Sequence, residues 1–227
     1  MGTSKGYIAP TTVHWSQAKR AVTRYIKHGD GDSRANAASK YAEAMHNDIE
    51  SSANFSKAVG NILAFANAIS SGSVNDALID FNRSDLIGKS SNEIYNELIE
   101  GITNYGNTIE DYLSAEAIRS ALRTLNITDI EQMKDIDSVV LLKEMLIEYI
   151  KFSFAFRYEE KIRMKRSPAE TDRLLVEMNK YISNELHNKL NLKDIKMIDF
   201  SKMQASNIVE SSLQDAYQIF EMFYEEA

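Results

Sequence analysis

Twenty residues, Val139 to Tyr158, constrain the fold of this chain more than any others. Val139, Val140, Leu141, Leu142, Met145, Leu146, Ile147, Tyr149, Ile150, Phe152, Phe154, Ala155, Phe156 and Tyr158 cover nearly the whole circumference of a helix. A helix that is apolar on all sides must be surrounded by other elements. The segment therefore predicts a central helix, buried all round, that continues into the charged end Glu159–Arg166. Lys143, Glu144, Glu148 and Lys151 interrupt the run and argue against a membrane span. Glu144 and Glu148, with lysines beside them, read as ordinary surface pairs.

The rest of the chain supplies helices to surround that core. Ala18, Ala21, Val22 and Tyr25 share one face of a helix near His14–His28, which Gly29-Asp30-Gly31-Asp32 stops. Ser33 is expected to cap a small-residue helix to His46, and Phe55–Ile69 keeps a strong helical period. Ser90-x-x-Glu93, Thr108-Ile-Glu-Asp, Thr128-x-x-Glu131 and Ser167-Pro-Ala-Glu170 each read as a helix start. A last helix is expected over about Ser206–Glu225. No confident period-2 strand and no internal repeat is visible. The expected architecture is all-α, a multi-helix bundle of eight to ten helices. Its expected organisation is a flexible, extended N-terminal tail over residues 1–12, a basic helical region over 13–47 and a main acidic helical domain over 48–227.

Charge divides along the same line. The first 46 residues carry seven Lys/Arg and three acids, a balance of +4, so the remainder carries −11 of the net −7. Lys19, Arg20, Arg24 and Lys27 form a basic stripe on the first helix. Such a stripe suits an anionic partner, a partner protein, or the acidic body of the chain itself. Trp15, Tyr25 and His28 lie near it, so a nucleic-acid-binding adaptor is the alternative reading. Zero cysteines exclude disulfide scaffolds, cysteine-ligated zinc and cysteine nucleophiles, and they fit a reducing cytoplasm. The first thirty residues show no apolar signal core.

Catalytic and metal signals are weak. Glu43-x-x-His46 is half of a di-iron signature and has no second half. Asp30-x-Asp32 starts like a calcium loop, but Arg34, Ala35 and Tyr41 occupy positions that the loop needs otherwise. Gly88-Lys-Ser90 follows Arg83 where a phosphate loop requires glycine, so Gly88 reads as a turn residue and Ser90 as a cap. No serine stands in a nucleophile elbow, and the four histidines lack a recognisable triad context. The expectation is a protein with no enzymatic activity, cofactor or metal; a helical enzyme whose site the sequence does not reveal is a third reading.

The N-terminus is the unusual feature. Loss of Met1 would expose Gly2 as an unhindered amine, followed by the small residues Thr3 and Ser4. The myristoylation pattern fails because residue 6 is Gly6. Gly2-Thr3-Ser4, Pro10, Trp15 and Ala18-Lys19-Arg20-Ala21 resemble the start of QatB-like proteins. Asp85-Leu-Ile-Gly-Lys-Ser-Ser-Asn-Glu-Ile, Gly106-Asn-Thr-Ile-Glu-Asp and Ala115–Leu122 continue the resemblance to about Leu125. The chain lacks the glycine- and proline-rich stretch of many relatives, keeping only Gly6 and Pro10. The resemblance implies a subunit of a bacterial four-gene anti-phage system, beside an ATPase, a QueC-like enzyme and a TatD-like nuclease. It also implies that the QueC-like enzyme modifies or docks the tail, with Gly2 as the modified position and Thr3 and Ser4 in the recognised segment. Lys19, Arg20, Arg24 and Lys27 would form a partner-binding face, with no role for a membrane.

Overall fold

The computed structural model describes residues 11–48, 52–192 and 205–222. Nine α-helices lie among the described residues: α1 (Val13–His28), α2 (Gly31–His46), α3 (Ala53–Ser71), α4 (Val74–Asp80), α5 (Ser91–Ile102), α6 (Ile109–Thr124), α7 (Ser138–Arg163), α8 (Pro168–Lys189) and α9 (Ala205–Met222). The all-α expectation holds. The expected boundary around Asn47–Asn54 partly falls on residues 49–51, and the tail on 1–10, outside the described residues.

α7 is the spine. It packs along α6 and α8 and also touches α3 and α9; α9 in turn packs on α2 and α3, and α1 lies on α2. Leu141, Leu142, Met145, Leu146, Ile147, Tyr149, Ile150 and Phe154 of α7 are fully buried. The surround is not complete, however. Phe152 is only partly covered, and Val140 in the first turn and Phe156 towards the other end of α7 are exposed, on different sides of the helix. The same packing buries Glu144 and Glu148, which the sequence placed on the surface. Glu148 ion-pairs with Lys151 at 2.6 Å and accepts from the Ser120 hydroxyl of α6 at 2.9 Å, so its burial is compensated from two helices.

An aromatic knot joins the first two helices to the spine. The Tyr41 ring meets the Trp15, Phe154 and Tyr158 rings edge-on, with centroids 6.3, 5.3 and 6.1 Å apart. The Trp15 indole N–H donates to Asp48 at 3.1 Å, and the Arg157 guanidinium lies 5.4 Å from its ring centre. One turn further along the core, Phe55 of α3 stacks on Tyr149 at 3.9 Å. Gly60 supplies the close approach of α3 to α9: a Cβ there would lie 2.8 Å from the Ser206 backbone nitrogen.

The helix ends follow local chemistry in most places. Ser90, Thr108 and Ser167 each close a capping box with the residue three positions on, and Pro168 occupies the first turn of α8. Two starts are displaced. Asp30, not Ser33, caps α2, because its carboxylate accepts from the Ser33 N–H at 2.7 Å. Asp129, not Thr128, caps the short turn before α7, with Gln132 closing the box. Other ends are capped from afar. Arg166 donates to the carbonyls of Ile26 and Lys27 at the end of α1, and Lys143 donates to those of His187 and Leu190 at the end of α8. The Tyr25 hydroxyl donates to the Leu174 carbonyl of α8 at 2.8 Å, and burial pushes that phenol up to about 12.

Phe154→Ala should cost about 3–5 kcal/mol in chemical denaturation, since it removes a buried ring that packs on both Tyr41 and Tyr158. Phe156→Ala, at an exposed position two residues away, should cost less than about 1 kcal/mol in the same measurement.

Candidate functional site

Gly2, Thr3 and Ser4 lie outside the described residues. The basic stripe is placed. Arg20, Arg24 and Lys27 are exposed on α1 and Lys19 is half-buried at its edge. None of the four pairs with an acidic side chain among the described residues, so they do not fold against the acidic body there. More positive charge stands beside them instead. Lys161 of α7 donates to the Lys19 carbonyl at 2.9 Å. Burial holds the Lys161 ammonium below its ordinary value, and Lys165 and Lys19 beside it push the same way. The sequence did not pair Lys161 and Lys165 with the stripe, because they are some 140 positions distant.

The carboxylates and histidines of the sequence motifs are engaged in contacts of their own. Glu43 binds His14 at 3.0 Å and Lys40 at 2.6 Å, whereas His46 turns to Glu221 at 2.9 Å. The two halves of the E-x-x-H signature thus serve different ion pairs. No group of metal-ligating side chains occurs among the described residues. Ser183, His187 and Glu144 do come together in the order of a hydrolase triad. The His187 Nδ1 that faces the Ser183 hydroxyl at 3.1 Å also lies 2.8 Å from the Ser183 carbonyl, while Nε2 meets Glu144. A nitrogen that donates to a carbonyl carries its proton and offers no lone pair to the serine. The arrangement holds α8 to α7 and does not activate a nucleophile.

The chemically richest surface is a cleft of about 720 Å³ between the start of α3, the end of α5 and the turns on either side of α5. Gly88 and Ser90 behave as turn and cap, as expected, and leave the cleft to other residues. Phe81, Leu98 and Ile102 give it an apolar floor, and Asn54, Lys57, Asn61, Arg83, Asn104 and Asp111 give it polar walls. Asp111 is the hub. Nearly buried, it accepts from the Asn54 amide at 3.1 Å, the Asn104 amide at 3.4 Å and the Thr108 N–H at 3.1 Å. Arg83 is fixed as firmly. It forks onto Asp85 at 3.0 and 3.1 Å and donates to the Glu97 carbonyl at 3.0 Å. The Asp85 carboxylate holds its guanidinium above the usual arginine range. Its path requires Gly101, where a Cβ would stand 2.6 Å from an Arg83 nitrogen.

The rim carries backbone strain. Asn104, Tyr105 and Gly106 have successive φ values of 50°, 54° and 67°. A left-handed tyrosine is unfavourable by roughly 1–3 kcal/mol and persists only where its surroundings over-determine it. Here the Asn104–Asp111 bond and the capping box of α6 do so, leaving the Tyr105 ring 64% exposed at the mouth. The sequence showed Gly106-Asn-Thr-Ile-Glu-Asp as a motif and a helix start. That Asp111 also gathers two asparagines from other elements depends on long-range packing.

Bundle and cleft together describe an all-α protein with one firmly braced polar cleft on its surface. The chain matches the family model described as "QatB: Qat anti-phage system associated protein QatB" over residues 46–220. It belongs to the QatB family and is a component of an anti-phage defence system. The match begins after the basic helix and runs well past Leu125, where the resemblance read from the sequence faded. No curated protein and no solved structure matches the chain.

Asp111→Ala should lower stability by about 1–3 kcal/mol, because it strands two amides and a helix N-terminus at once. Chemical denaturation of the full chain measures this, with Asp85→Ala, at an exposed carboxylate, as the milder comparison.

Proposed function

We propose that this QatB-family protein acts without chemistry of its own, presenting its N-terminal glycine segment to a QueC-like partner enzyme that modifies or docks it. The observation behind the reading is the exposure of the residues that open α1. Thr11, Thr12 and Val13 are exposed, and Val13 is the first residue of a helix locked to the body by Trp15, Tyr25 and Arg166. Thr11 thereby stands at the surface on a rigid mount. A glycine α-amine, with a pKa near ~8, is partly unprotonated at neutral pH and has no side chain to obstruct a narrow active site. The ATPase and the TatD-like nuclease are the other partners that the resemblance implies, in the cytoplasm.

Intact-mass measurement after co-expression with the neighbouring genes tests this reading. Mass should be added at Gly2, and Gly2→Val should abolish the addition and weaken phage defence while leaving the helical circular dichroism unchanged. Full defence by the Gly2→Val protein would remove the reading.

The joining of Lys19, Arg20, Arg24 and Lys27 with Lys161 favours a second reading, an adaptor for nucleic acid. Under the first reading these cations meet a partner protein. The isolated subunit should then show no tight band shift with duplex DNA or RNA at physiological salt. Sub-micromolar affinity that falls steeply with salt would support the adaptor instead.

A further inference from the structure

We infer that the cleft between α3 and α5 binds an extended peptide segment bearing a carboxylate, contributed by another protein. The inference is independent of the N-terminal segment and rests on which polar groups in the cleft are already committed. Asp111 consumes the amide N–H groups of Asn54 and Asn104. An ionised carboxylate only accepts, so both asparagines must direct their amide nitrogens to it, leaving their carbonyl oxygens without a partner among the described residues. Asn61 has no hydrogen-bond partner among the described residues, and Lys57 no ion-pair partner. The cleft therefore offers amide donors, amide acceptors and one uncommitted ammonium over an apolar floor.

That inventory selects the ligand class. Arg83 is closed by Asp85, so Lys57 is the one cation lining the cleft that no acidic side chain among the described residues engages. A nucleotide's phosphates would meet that single ammonium alone, which is poor compensation for a polyanion. A single carboxylate needs only Lys57. A peptide backbone, which alternates one donor and one acceptor, matches the paired donor and acceptor of a carboxamide. The spacing agrees. Asn54 and Asn61 lie seven residues apart on α3, about 10.5 Å along the axis. An extended chain covers that distance in about three residues. The cavity, about 720 Å³, holds a segment of that size with its side chains. The exposed Tyr105 ring at the mouth supplies a rigid apolar contact for the emerging chain.

The test uses the purified full chain and fluorescein-labelled, N-acetylated pentapeptide pools in which one position at a time is fixed. Each pool is made with an amidated and with a free C-terminus, and binding is read by fluorescence polarisation. Pools fixed as Asp or Glu, or those with a free C-terminus, should bind best, and the two arms separate a side-chain from a terminal carboxylate. Asn61→Ala and Lys57→Ala, both at positions that hold nothing else in place, should each weaken binding about tenfold, and Lys180→Ala should leave it unchanged. Absence of binding by every pool would overturn the inference, as would binding unaffected by both variants. So would Asn61-dependent binding of adenosine monophosphate or a labelled oligouridine in place of the peptides.

Discussion

The edge-on packing of Tyr41 between Trp15, Phe154 and Tyr158 is the contact on which the arrangement of the chain depends. The buried face of α2 is mostly alanine and serine, and alanine faces bury little area of their own. One large ring inserted into α7 gives this helix a fixed register that small residues could not impose. α1 then follows, because Trp15 closes on Tyr41 from the other side and is itself held by Asp48 and Arg157. The N-terminal helices and the spine thus share one hydrophobic core.

The spine's partial exposure has a cause in the same packing. α6, α8, α3 and α9 enclose its middle turns, and its exposed apolar residues, Val140 and Phe156, lie towards the two ends. Glu144 and Glu148 turn inward onto α8 and α6. Composition around the helix predicts how much of it is buried and says little about which side. A buried acid with a serine and a lysine to receive it is as admissible as a leucine there.

Legibility in the sequence followed distance along the chain. Helix starts at Ser90, Thr108 and Ser167 were readable because a capping box is complete within four residues. The start at Asp30 was misread by three positions, since Asp30 and Ser33 are both good caps and only the backbone decides between them. The ion pairs of Glu43 with His14 and of His46 with Glu221 could not be seen, because their partners lie 29 and 175 positions away. The cleft was illegible as a site. Its residues come from α3, the turns around α5 and the start of α6, and the asparagines that line it are unremarkable in composition. The one local trace was Gly106-Asn-Thr-Ile-Glu-Asp, whose closing Asp111 does two tasks at once.

Arg166 grips the last carbonyls of α1 from the junction between α7 and α8, and Tyr25 ties the same helix to α8 one residue earlier. Both attachments sit at the far end of α1 from Thr11, and Trp15 secures the near end. A pull at Thr11 is therefore met first by the Trp15 contacts with Asp48, Tyr41 and Arg157. Arg157 lies on α7, so that clamp couples the start of α1 directly to the spine.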